Sequence, residues 1–170
     1  MTPDDAPAPD PSPGSPPGAP SHPQAVVLRR LFALVYDALP VLALWMVVGA
    51  LFTAGYTLAG HPVRENIKPF SALQWIEWLC CWLLTGAYAV LSWRRGGQTL
   101  GMRPWRLRVV APGGGAAGLA ALARRYALGT LSLLLAGAGF WWAWFDRDRL
   151  ALHDRLSGTR MQLAPKRPRS

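Results

Sequence analysis

Residues 31–59, LFALVYDALPVLALWMVVGALFTAGYTLA, form an apolar run in which Asp37 is the single charged residue. A helix of that length would measure about 44 Å, which exceeds the ~30 Å hydrocarbon core of a bilayer. The run therefore predicts one tilted or kinked transmembrane helix, with Pro40 as the expected position of the kink. Arg29 and Arg30 stand directly before it.

Two further apolar runs follow, Leu73–Trp93 and Tyr126–Phe145. Each is about as long as a single membrane crossing requires. The residues between them are basic and rich in glycine, and they predict a short strand over Arg106–Ala111 and an interfacial helix over Ala116–Arg125. The expected fold is an all-α membrane protein with three hydrophobic helical segments, the β-like turn and interfacial helix lying between the second and third.

The composition excludes several classes of protein. Hydrophobic residues make up 51% of the chain and charged residues 16%, whereas soluble domains average about 25% charged. Two adjacent cysteines, Cys80 and Cys81, cannot supply a disulfide framework. The net charge of +9 is carried by arginines that flank apolar runs. This placement favours a bilayer and anionic lipid headgroups as partners over nucleic acid.

Both ends of the chain differ from its middle. Residues 1–24 hold nine of the 16 prolines and predict a disordered tail, because such a composition buries too little apolar surface to fold. The acidic start, Asp4 and Asp5, is not that of a signal peptide. The membrane domain is expected over residues 25–163, followed by a basic tail over 164–170.

The arginine distribution predicts the orientation. Residues 94–125 contain seven arginines and no acid, so this loop and the N-terminus should be cytoplasmic and the 60–72 loop external. Three full crossings would place the C-terminus outside. Residues 146–170 carry seven Lys and Arg against three Asp, however, and such a basic segment is expected in the cytoplasm. Either the third run crosses fully, which its length favours, or it is re-entrant and turns back at Gly137–Gly139.

Four blocks of sequence resemble the RDD family of small bacterial membrane proteins. The Arg and Asp of the family's first helix look like Arg30 and Asp37 in RRLFALVYD, and its second Asp looks like Asp146 in WWAWFDRDR. The family block GQTLGKRxxGLRVV is present as GQTLGMRPWRLRVV, and LHDxLAGT as LHDRLSGT. Met102 stands where the family usually has Lys, and Pro104 and Arg106 replace commoner residues. The resemblance implies a multi-pass protein of the bacterial inner (cytoplasmic) membrane.

Asp37 is the strongest candidate for a site. A carboxylate this deep in an apolar run costs several kcal/mol unless it is paired, binds a cation or takes up a proton. Arg30 lies two turns earlier on the same face but leans toward the helix N-terminus, so a direct bond to Asp37 is not expected. Pro40 has no N–H to donate to the Tyr36 carbonyl. That carbonyl is therefore expected to lack its helical hydrogen bond, beside the Asp37 carboxylate. Two hypotheses remain open: an ion or proton site, and a buried ion pair that holds helices together.

A second polar cluster follows the third run. It comprises Asp146, Asp148, His153 and Asp154, and its spacing matches no metal motif. The simpler interpretation is that these aspartates form ion pairs with Arg147, Arg149 and Arg155 in a cap at the end of the third run. His153 and Asp154 could also form a pH-sensitive hydrogen-bonded unit. No serine nucleophile motif or phosphate loop is present, so neither an enzyme, a cofactor nor a metal is predicted.

Two functions fit these observations. The first is transport of a small ion or solute coupled to protons or cations, with Asp37 as the site and Arg30 and Asp146 in support. Three short segments are too few for a pore, so this function would require a homo-oligomer. The alternative is a non-catalytic membrane component that binds or stabilises another membrane protein.

Overall fold

A computed structural model describes residues 23–62, 65–135, 137, 142 and 150–164, with side chains from residue 28 onward. It contains helices α1 (Pro23–Leu58), α2 (Ala72–Gly96), α3 (Leu119–Leu134) and α4 (Leu152–Ser157), and strands β1 (Leu107–Val110) and β2 (Arg160–Leu163). The predicted tail over 1–24 lies outside the described residues except for its last two positions, where Pro23 begins α1. Of the predicted C-terminal tail, only Ala164 is described.

The first two predicted spans are confirmed as helices. Within α1 and α2, Leu28–Leu58 and Ala72–Gly96 are long and apolar enough to cross a membrane. Arg30, Ala33 and Val48 on α1 are buried, whereas Leu39 and Met46 are 70% and 75% exposed. One face of α1 thus packs against the rest of the chain, and the other presents apolar side chains that suit a lipid environment.

The third segment differs from its prediction. A single helix, α3, continues through Arg125 and Tyr126, where an interfacial helix was expected to end and a span to begin. It stops at Leu134, and Gly137 follows with φ 77° and an N–H that donates to the Ser132 carbonyl at 2.8 Å. From Arg125 to Leu134 the helix rises only about 14 Å, roughly half of a bilayer core.

The strands show where the chain goes next. β1 and β2 pair antiparallel, with Leu107 opposite Leu163 and Val110 opposite Arg160. Because β1 lies between α2 and α3, the chain after α3 returns to the end at which α3 began. Within the described residues the third apolar run is helical only as far as Leu134, so a third complete crossing is not confirmed. The predicted strand over Arg106–Ala111 is confirmed as β1; its partner β2 was not predicted.

A small core joins the strands to the helices. Met102, Leu107, Val109 and Leu122 are buried together in it. The sulfur of Met102 accepts a hydrogen bond from the Trp93 indole N–H at 3.4 Å. Met102 is thus part of this core, where an unpaired ammonium would be costly.

Arg106 stands where the family block has glycine, and its backbone shows why. Its φ is 57°, a left-handed conformation that glycine adopts without strain and other residues adopt at a cost. The Arg106 guanidinium donates to the Ala164 carbonyl, and the Ala164 N–H donates to the Arg106 carbonyl at 2.7 Å. These bonds tie the turn before β1 to the end of β2.

Candidate functional site: two carboxylates in different environments

The Asp37 carboxylate is held by three hydrogen-bond donors, all of them neutral. Oδ1 accepts from the Tyr88 hydroxyl at 2.9 Å and from the Gly101 N–H at 2.9 Å. Oδ2 accepts from the Thr99 hydroxyl. Tyr88 belongs to α2, whereas Thr99 and Gly101 lie in the turn after it, so this one side chain joins α1 to both.

Glycine at position 101 makes this approach possible. A Cβ there would lie 2.3 Å from the Ala33 carbonyl oxygen and 2.7 Å from Cγ of Asp37, closer than real contacts allow. Trp105 fixes the same turn from its other side, stacking on Phe32 with ring centroids 4.8 Å apart. The turn thus lies directly on the α1 backbone, and the Gly101 N–H reaches the carboxylate.

Asp37 forms no ion pair with any described residue. Arg30 does not contact it, as its lean toward the helix N-terminus predicts. The ion-pair hypothesis for Asp37 requires a cationic partner, and none of the three observed donors is a cation. Because these donors are neutral, none of them supplies a positive charge to the carboxylate.

The buried ion pair is formed by a different acid, Asp154 on α4. Nη1 of Arg30 lies 2.9 Å from its Oδ2, and Arg125 on α3 binds its Oδ1. Asp154 is 0% exposed, Arg125 3% and Arg30 6%. Three helices that are distant in sequence therefore meet at one carboxylate, and removal of any partner would leave a buried charge unpaired.

Hydroxyl groups and an aromatic ring complete this arginine–aspartate cluster. Arg125 Nη1 donates to the Thr159 hydroxyl at 2.9 Å, and the Ser157 and Thr159 hydroxyls lie 2.8 Å apart. The Arg125 guanidinium lies 5.4 Å from the centre of the Trp93 ring, a distance suited to a cation–π contact. The LSGT stretch of the last family block thus lines the pair.

The charges in this cluster set its pKa values. Burial alone would raise the pKa of Asp154, but Arg125 and Arg30 outweigh it and hold that pKa below its ordinary value. Burial lowers the pKa of His153 to about 4, against the opposing attraction of Asp154 and with a further contribution from the two arginines. Burial also lowers the pKa of Arg125, with Asp154 acting in the opposite sense. At neutral pH the cluster therefore has an ionised Asp154 and a neutral His153.

This arrangement differs from the predicted cap. Asp154 pairs with arginines of α1 and α3, whereas Arg147, Arg149 and Arg155 were the expected partners. Asp146, taken from the resemblance as the second aspartate, and Asp148 lie outside the described residues. Of the two residues that the sequence singled out on the first helix, Arg30 is buried and Asp37 is partly buried. Sequence reasoning missed Arg125 as the cation shared with Asp154.

A polar stripe runs along the α1-facing side of α2. It contains Glu77, Cys81, Thr85 and Tyr88, whose spacing of four, four and three residues keeps them on one helix face. Across from it, the Trp45 indole donates to the Thr85 hydroxyl at 2.9 Å. A methyl group placed on Gly49 would lie 3.4 Å from a Glu77 oxygen. The interface between the two long helices thus contains Asp37 near one end and Glu77 near the other.

Comparison with known proteins gives one result. Residues 24–158 match the model of the RDD family. No curated protein and no solved structure matches the chain. Since the matched region covers most of the chain, the protein belongs to the RDD family, and its two apolar helices are consistent with a membrane protein.

Proposed function

We propose, from the premise that the chain is an RDD-family membrane protein, that it transports a small ion or solute coupled to protons or cations. Asp37 is the proposed ion site. The observation that carries this proposal is a carboxylate within a potential span that is held by three neutral donors and paired with no described cation. Ionisable groups inside membranes mark ion and proton pathways more often than chance would suggest.

The donors around Asp37 suit both of its protonation states. The Tyr88 and Thr99 hydroxyls can rotate to donate or accept, whereas the Gly101 N–H can only donate. An ionised Asp37 uses all three as donors. A protonated Asp37 can donate from Oδ2 to the Thr99 oxygen while Oδ1 continues to accept. The site can therefore gain or lose a proton without leaving a buried polar atom unpaired.

The polar stripe supports a route away from this site. Tyr88 and Glu77 lie three turns apart on α2, a rise of about 16 Å or half of a bilayer core. Thr85 and Cys81 lie between them, and the Trp45 indole N–H reaches the same face. We propose Glu77 as the second protonation site, at the far end of the α1–α2 interface.

The Arg30–Asp154 pair has a supporting role in this proposal. It fixes the start of α1 against α3 and α4, which places Asp37 two turns later at a constant depth. Asp146 remains a proposed contributor. The proposed topology has α1 and α2 as full crossings of the bacterial inner membrane, with the N-terminus and the 94–125 segment cytoplasmic, and the active form as a homo-oligomer, since two crossings are too few to enclose a pathway.

The test uses the purified full-length protein in proteoliposomes with an internal pH dye. We expect Asp37→Asn to abolish proton flux driven by a cation or pH gradient while the melting temperature in detergent stays within a few degrees. Glu65→Gln, which removes an exposed loop carboxylate, is the matched control and should retain wild-type flux.

The alternative, a membrane component that binds another membrane protein, gives a different result. Wild-type protein would then show no flux in well-folded oligomers under any gradient tested. A defined second protein would instead purify with it from its native membrane at fixed stoichiometry.

A further inference from the structure

A pocket of about 460 Å³ opens beside the end of α2. Its wall is formed by the last turns of that helix and by the turn that follows. Arg95 comes from the helix and Arg103 from the turn, so two guanidinium groups from different segments face one space. This volume is sufficient for a phosphate group and its attached glycerol.

The pocket is lined by two arginines, and the neighbouring carboxylate, Asp37, is held by Tyr88, Thr99 and Gly101 and by neither arginine. No carboxylate is among its lining residues, and within the described chain neither Arg95 nor Arg103 takes part in an ion pair. Ser92 adds a hydroxyl to the same wall. Two unpaired guanidiniums and a hydroxyl form a donor set that favours phosphate oxygens, which arginine binds in bidentate fashion.

Part of the pocket wall is apolar. Leu91 and Leu100 also line it, and they are 45% and 52% exposed. In a membrane protein such leucines at the end of a span lie where acyl chains begin, and arginines there lie at headgroup level. We propose that this pocket binds the phosphate of an anionic phospholipid, with the arginines on the phosphate and the leucines against the acyl chains.

The same pocket adjoins the Asp37 site. Tyr88 forms part of its wall while its hydroxyl donates to Asp37 at 2.9 Å. The N–H of Leu100 donates back to the Tyr88 oxygen at 3.1 Å. A bound lipid would therefore pack against the residues that hold Asp37, and its binding stands independently of what Asp37 transports.

Native mass spectrometry of the full-length protein in detergent tests this proposal. The probes are dioleoylphosphatidylglycerol, which is anionic, and dioleoylphosphatidylcholine, which is zwitterionic with the same chains. We expect the wild type to retain the first and not the second. R95Q/R103Q should weaken phosphatidylglycerol binding about 30-fold, at ~1 kcal/mol for each arginine.

The matched control is R94Q, which removes the neighbouring exposed arginine that does not line the pocket. It should retain wild-type affinity. Equal loss in R94Q and in R95Q/R103Q would overturn the proposal, because it would indicate general surface attraction. Equal binding of both lipids, or displacement of the lipid by glycerol phosphate at equal concentration, would also overturn it. The single variants R95Q and R103Q should each weaken phosphatidylglycerol binding about fivefold. They keep the test decisive if the double variant fails to fold.

Discussion

Arg30, in the second turn of α1, lies 2.9 Å from the carboxylate of Asp154 on α4. This contact joins the two ends of the family-matched region, residues 24–158, and both side chains are buried. Asp37, two turns further along α1, has only neutral donors. The buried ion pair considered for Asp37 is thus formed by Asp154, and the ion-site role proposed for Asp37 can be tested separately from it.

Asp154→Asn should strongly destabilise the protein. The amide keeps the shape of the side chain but leaves Arg30 and Arg125 buried without their carboxylate, at a cost of about 3–5 kcal/mol by analogy with soluble proteins. The measurement is the melting temperature in detergent, with Glu65→Gln as the exposed-carboxylate control. An Asp154→Asn protein as stable as that control would show that the ion pair does not hold the helices together.

Stability should rise with pH between about 4 and 6.5, because of His153. Burial lowers its pKa from 6.5 to about 4 in the folded state, so in this range the unfolded chain binds the additional proton and folding is opposed. The full effect is on the order of 3 kcal/mol. Asp154 acts in the same direction at lower pH, since its folded pKa is depressed and its contribution is lost as pH falls below about 4.

The measurement for this pH dependence is melting temperature across pH 4 to 8 in one detergent. His153→Gln removes the titrating ring and should flatten the rise between pH 4.5 and 6.5. An unchanged slope in His153→Gln would assign the dependence to other groups.

Gly101→Ala should disrupt the Asp37 site. The added methyl would meet the Ala33 carbonyl and the Asp37 side chain, so the turn must move off α1, at a cost of about 1–3 kcal/mol. Gly113→Ala is the matched control, since a methyl there meets nothing within 4 Å. We expect a lower melting temperature and lost flux for Gly101→Ala alone; identical behaviour of both variants would mean that the close approach is unimportant.

Arg106 allows a test of backbone strain. Arg106→Ala keeps the left-handed backbone but loses the bond to the Ala164 carbonyl. Arg106→Gly loses the same bond and relieves about 1–2 kcal/mol of strain. The glycine variant should therefore be more stable than the alanine variant by about 1 kcal/mol in denaturant unfolding, and the reverse order would contradict a strained turn.

The sequence was sufficient to predict the two long helices, since apolar runs of that length have few alternatives. It also predicted β1 and the separation of Arg30 from Asp37. It contained an unused signal for the start of α2: Ser71 accepts from the Gln74 N–H at 3.3 Å, and the Gln74 side chain accepts from the Phe70 N–H at 2.7 Å. This Ser-x-x-Gln pattern is that of a capping box, although the reciprocal bond here comes from the residue before the N-cap.

The remaining features depend on contacts between distant segments. β2 has only four residues, two polar and two apolar, and its pairing with the distant β1 makes it a strand. Arg125 resembles the other arginines of its loop in sequence, and its burial follows from the return of α4 to α3. The length of the third apolar run favoured a full crossing, and hydropathy gives no sign that helix α3 ends at Leu134.

Glu77→Gln should reduce transport without reducing stability. Glu77 is half-buried and faces Gly49 in the α1–α2 interface, and it forms no ion pair with a described residue. Removing its charge therefore leaves no described cation unpaired, whereas loss of the Asp154 charge would leave Arg30 and Arg125 unpaired. If it is the second protonation site of the polar stripe, proton flux in proteoliposomes should fall at least tenfold, about 1.4 kcal/mol in the barrier, while the melting temperature stays at the wild-type value. Glu65→Gln again serves as control. Wild-type flux in Glu77→Gln, with Asp37→Asn inactive, would confine the pathway to the Asp37 end of the helices.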